Sequence, residues 1–214
     1  MAAHVVLTVA FLASPVRADT DTWNFSQPAG TLGTSQNYAV EGTTITASGY
    51  SQPNKLTDLF GKTAGGDQSG TTDEPQGRHL LGINGEVHSE IAGTAFIQLD
   101  LTQLVNAGFK NGQLEISSVQ PGEHFNIWGS NQKGVLGTLL VANGSLDTKP
   151  FSIPDFGKFD FISITSPKGD VLVDSLSAQP PSPSPVPEPS TLVLLLTGAV
   201  GMGGFVRWKL KHVS

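Results

Sequence analysis

In Phe96-Ile97-Gln98-Leu99-Asp100-Leu101, three aliphatic residues (Ile97, Leu99, Leu101) alternate with Phe96, Gln98 and Asp100. A period of two is the mark of a strand with one face in a core, because successive side chains leave a strand on opposite sides. Leu114 and Ile116 alternate with Gln113, Glu115 and Ser117 in the same way. Further short strands are expected over 43–48, 124–129, 137–142, 158–166 and 171–177, with one short helix over 101–107. Asn111-Gly112, Pro121-Gly122, Asn143-Gly144 and Lys168-Gly169 read as turns between them. In the 158–166 strand, Phe159 and Phe161 oppose Ile162 and Ile164, which implies a central strand or a bulge. The expectation is an all-β, antiparallel β-sandwich or jelly roll spanning residues 19–178.

Composition narrows the class. The chain has 214 residues, a formal net charge of −6, 25 Gly, 14 Pro and no Cys. Charged residues make up only 14%, too few for a coiled coil or helix bundle. No basic face offers to neutralise phosphates, so nucleic acid is not an expected partner. Without Cys there are no disulfides, thiol chemistry or cysteine-ligated metals, and the domain must be held by its core alone. All acidic residues except Glu188 lie between 19 and 178, so the domain is acidic while the carboxy-terminal tail is basic.

The two ends carry targeting signals. An apolar run from Val5 to Ala13 is followed by Val16-Arg17-Ala18, the pattern of a secretory signal peptide over residues 1–18 cleaved before Asp19. Its n-region, Met1 to His4, lacks Lys and Arg. Residues 179–187 form a Pro/Ser-rich linker whose five prolines, with Pro189 just beyond, forbid sheet pairing and favour an extended spacer. An uncharged apolar segment, 191–206, follows, and Arg207, Lys209 and Lys211 stand in the basic tail at 207–212. As a helix, that segment reaches about 24 Å, short of the roughly 30 Å hydrocarbon core. A marginal span with Trp208 at the interface and cations beyond it suits a temporary tether.

Val186-Pro187-Glu188-Pro189-Ser190-Thr191, the short apolar segment and Arg207-Trp208-Lys209-Leu210-Lys211 together resemble a PEP-CTERM sorting signal over residues 186–212. The same tag is also known as an ice-binding protein C-terminal domain, a label that implies no activity. The resemblance implies a Gram-negative-type envelope and recognition of Val186, Pro187, Glu188 and Pro189 by exosortase. It further implies export through the Sec route, transient anchoring in the inner membrane, and release to the cell surface or exopolysaccharide matrix of a biofilm. Thr43-Ile45-Thr46-Ala47-Ser48-Gly49, Gly65-Gly66-Asp67, Phe96 to Leu101 and Ile127-Trp128-Gly129-Ser130 resemble uncharacterised PEP-CTERM ectodomains, which supports a sandwich without naming a ligand.

The domain carries no nucleophile elbow, phosphate-binding loop, dinucleotide fingerprint or zinc-helix motif. The expectation is therefore a non-enzymatic binding or structural module associated with exopolysaccharide, without a cofactor. Trp128 shares a strand face with His124 and Asn126, opposite Phe125 and Ile127; a ring among hydrogen-bonding side chains can stack on a sugar, and a rim Trp packed under residues 131–134 is the alternative. Glu86, His88 and Glu90 would share one strand face, a metal-ligating set or simply a solvated edge. Asp67, Asp73 and Glu74, in the long acidic loop 61–77, offer hard oxygens for Ca²⁺ or serve solubility. Glu115 and Glu123 are the carboxylates from which a glycoside-hydrolase pair would be drawn. The alternatives kept open are thus a glycan-active hydrolase and a Ca²⁺-stabilised adhesive module.

Overall fold

A computed structural model describes residues 19–25, 27–63, 79–147 and 149–182. The signal peptide, Asp67, Asp73 and Glu74, and the sorting signal from Val186 to Lys211 lie outside the described residues. The chain opens with β1 (Asp21–Asn24), β2 (Gly30–Gly33), β3 (Ser35–Val40) and β4 (Thr43–Gln52). There follow β5 (Lys55–Thr57), β6 (Leu59–Thr63), β7 (His79–Ile83), a 3₁₀ turn over Val87–Ser89, and β8 (Ile91–Ala92). Next come β9 (Phe96–Asp100), the helix α1 (Thr102–Ala107), β10 (Lys110–Ser117) and β11 (His124–Ser130). The last strands are β12 (Thr138–Gly144), β13 (Lys149–Ser152), β14 (Phe161–Lys168) and β15 (Asp170–Gln179).

These strands form two antiparallel sheets, as the period-two pattern predicts. The first runs β13-β10-β15-β7-β6-β2, and the second runs β12-β11-β14-β9-β4-β3, with β5 on β4. In the first sheet β10 takes one edge of β15, while β1, β7 and β8 share the other in turn. The core lies between the sheets. Ile97 and Leu99 of β9 meet Ile162 and Ile164 of β14 in register on one side, and Leu114 and Leu176 pair on the other. Phe161, at the start of β14, faces the opposite way from Ile162, and β14 is indeed central.

Two turn readings are corrected. Asn111-Gly112 lies inside β10, where the register against β15 slips by one residue between Lys110 and Gln113, so the pair forms a bulge. Asn143-Gly144 likewise ends β12 rather than separating strands. Lys168-Gly169 does turn the chain, with Gly169 at φ 78° between β14 and β15.

Trp23 joins the layers near the start of the domain. Fully buried on β1 of the first sheet, it donates its indole N–H to Thr43 O at the head of β4 in the second, at 3.1 Å, and meets Phe109 edge-on at 5.6 Å. Trp23→Ala is expected to cost about 3–5 kcal/mol in a urea titration; a loss below about 1 kcal/mol would show that this contact does not hold the layers.

Candidate functional site

β11 places His124, Asn126 and Trp128 on one side and Phe125 and Ile127 in the core, as the alternation requires. All three outward residues are half-buried. The Trp128 indole N–H donates to Thr165 Oγ1 on β14 at 3.0 Å, which fixes the ring against the sheet. Asn126 Oδ1 accepts from Asn143 N at 2.8 Å where the β11–β12 register slips, so this side chain replaces a missing ladder bond. His124 Nδ1 is buried without a hydrogen-bond partner. The structure therefore brings the three residues onto one face, and Asn126 and Trp128 are also fastened to neighbouring strands.

Beside them lies a polar plug that the sequence did not reveal. Gln98, buried on β9, pairs with Ser163 of β14, which in turn pairs with Trp128. Its Oε1 accepts from Gly134 N at 2.7 Å, and its Nε2 donates to Val135 O and Ser163 Oγ, each at 3.1 Å. Gly134 O in turn accepts from Asn54 N. Each of these bonds is made to the loop after β11 or to a neighbouring strand, so the loop is bound down over the sheet's outer face. Tyr50 and Phe96 stack beside it, with centroids 4.8 Å apart.

The Glu86–His88–Glu90 reading is corrected. Residues 87–89 form a 3₁₀ turn with His88 and Ser89 at positive φ, so the three do not share a strand face. The turn instead sends two of them to different partners. Glu90 forms a buried ion pair with Lys62 of β6, the two residues being 1% and 4% exposed. His88 Nδ1 lies 3.0 Å from Asp170 Oδ2 at the start of β15. Glu123 accepts from Gln120 N at 2.9 Å and from Asp170 N at 3.4 Å. Glu115 sits in β10, in register with Pro150 and Ser175. Among the described residues, no group of three or more His, Asp or Glu is placed to hold a metal ion.

Sequence reasoning missed the Lys62–Glu90 pair because its members lie on separate elements. The available signal was Leu80-Leu81, two adjacent apolar residues that mark a strand buried on both faces. Lys62 is in register with Leu80, so it had to be covered too. Leu80 and Leu172 are buried outside the main core cluster, and Gly82 lies hard against Ser89 O, so the 3₁₀ segment covers this face.

Burial pushes the Glu90 carboxyl up to about 7; the Lys62 ammonium opposes the rise and the Asp170 charge adds to it. Burial also raises Glu123, with the Asp170 carboxyl contributing. The chain matches no protein-family model and no curated protein.

A raised carboxyl pKa means that the folded state holds the proton more tightly than the unfolded chain. The associated stability is complete below the unfolded value near 4.5 and is lost as pH rises through about 7. Stability should thus fall between pH 5 and pH 8, by of order 3 kcal/mol at most from Glu90. Glu123 acts in the same direction. Calorimetric melting across this range checks it, with Glu90→Gln flattening most of the slope; a melting temperature that climbs with pH would contradict the assignment.

Proposed function

We propose that this chain is an exported, exosortase-processed protein of the bacterial envelope or extracellular matrix, in which a jelly-roll sandwich meets exopolysaccharide without catalysing a reaction. The observation that carries this reading is the order of three features at the carboxyl end: Pro187-Glu188-Pro189, an uncharged apolar segment, and the Arg207, Lys209 and Lys211 cations. Each has a physical task. The prolines lack amide donors and so cannot join a ladder, which suits a motif that a processing enzyme must reach. The short apolar segment holds the chain in the inner membrane only marginally, and the cations keep the tail on the cytoplasmic side. A processing enzyme can then release the domain outward.

The amino-terminal signal over residues 1–18 supplies entry to the export route, and the linker over 179–187 separates the domain from the bilayer. The acidic domain suits a soluble module that must stay clear of an anionic membrane surface. The His124–Asn126–Trp128 face is one surface offered to a polymer: the indole N–H is taken by Thr165, while the half-buried ring lies among polar neighbours.

The test is Glu188→Ala expressed in the native host. The account expects a precursor that keeps its carboxyl end and stays in the membrane fraction, while the wild type is released. Equal release of the variant would remove exosortase recognition from the account.

A further inference from the structure

We infer that an open groove beside the edge strand β13, on the sheet opposite Trp128, binds a short neutral segment of a polysaccharide. The groove encloses about 720 Å³ between β10, β13, the turn after β13 and the end of β15. That volume is within the range of small-ligand sites, about 300–1,000 Å³.

The bulge in β10 makes the groove. Asn111 takes φ 53°, and the one-residue slip against β15 turns its side chain onto Gln179, where Asn111 Nδ2 donates to Gln179 Oε1 at 2.7 Å. The next residue is glycine, and a Cβ on Gly112 would fall 2.0 Å from Phe156 Cδ2 and displace that ring. The missing side chain lets the half-buried Phe156 ring lie against the strand as a wall of the groove. Gly112 O also accepts from Ile153 N at 2.9 Å, which ties the chain after β13 to the bulge. Bulges of this sort re-aim side chains next to binding sites.

The lining chemistry selects the ligand class. Gln113 and Ser152 are exposed, face each other in register, and make no side-chain hydrogen bond to any described residue. Amides, a hydroxyl and the Asp155 carboxylate can pair with the donors and acceptors of adjacent sugar hydroxyls, and an aromatic wall covers the apolar C–H side of a sugar ring. Lys110 and Asp155 are the charged residues of the lining, and Lys158 Nζ lies 3.4 Å from Asp155 Oδ2, so the groove offers no concentration of one sign that would select a charged polymer. A peptide strand is a poorer fit, because β13 is only four residues long and contains Pro150, which removes a ladder donor at the edge.

This inference rests on the exopolysaccharide reading for the source of the polymer, and the test separates the two. Oligosaccharides cut from the purified exopolysaccharide of the producing strain are titrated into the full chain, held in a zwitterionic detergent, by calorimetry. Phe156→Ala and Gln113→Ala are each expected to weaken binding at least about tenfold, and Leu56→Ala, an exposed position on the other sheet, by less than roughly twofold. Gln113 is exposed, so that variant remains decisive should Phe156→Ala fail to fold. Wild-type affinity in Gln113→Ala, or loss of binding in Trp128→Ala with the groove variants intact, would overturn the groove and leave the polysaccharide reading in place. No binding by the wild type would overturn both.

Discussion

Three times the chain passes from one sheet to the other through a single residue: Thr34 between β2 and β3, Asp58 between β5 and β6, and Gly169 between β14 and β15. β14 belongs to the second sheet and β15 to the first, and Gly169 alone separates them. Its φ of 78° is left-handed, and a Cβ there would lie 2.4 Å from Glu123, so no larger residue fits without displacing that side chain. Ser166 secures the corner, its hydroxyl lying within hydrogen-bond distance of the carbonyls of His124, Lys168 and Gly169. With no disulfide in the chain, these corners and the apolar layer between the sheets set how the sheets are aligned. The alignment in turn places β15, whose edges hold β10 on one side and β1, β7 and β8 on the other.

The Gly169 corner explains where the charges collect. Asp170 is the first residue after the turn, and it meets Glu123 through its own N–H and His88 through its carboxylate. The segment carrying His88 and Glu90 folds over the outside of the first sheet and buries Lys62 with Glu90. Desolvating two charges costs about as much as their attraction returns, so the pair adds little net stability. Its effect is on placement: Lys62 is the cation that meets the Glu90 carboxylate under that cover. The bent 3₁₀ turn, with two residues at positive φ, is the backbone strain that accompanies the arrangement.

What the sequence made legible follows from distance along the chain. The alternation in Phe96–Asp100 and in β10 and β11 is local, so the strands, their core faces and the outward face of Trp128 could all be read directly. Leu99 and Ile162 meet as expected of two inward faces. β1, β2, β3, β5, β6, β7, β8 and β13 are not among the expected strands, because segments such as Gly30 to Gly33, Ser35 to Val40 and Lys149 to Ser152 mix polar and apolar residues and depend on partners far away in the chain. Asn111-Gly112 carries the composition of a hairpin turn, and only the ladder with β15 shows that it is a bulge. The Lys62–Glu90 pair depends on two elements meeting, and no short window of sequence contains both residues. Gln98 illustrates the same limit: its alternation placed it on the outer face, but its burial comes from the loop after β11.

Function divides in a similar way. The proposed address rests on linear sequence alone, whereas a binding surface is assembled by the fold. The groove beside β13 arises from a bulge, a missing Cβ and a ring from another turn. The central claim is that the carboxyl end is an address removed on delivery, and intact-mass spectrometry of the native product tests it most directly. The account predicts a protein recovered outside the cell that begins at Asp19 and has lost the apolar segment and the basic tail. A product found in the cytoplasm that still ends at Ser214 would contradict it.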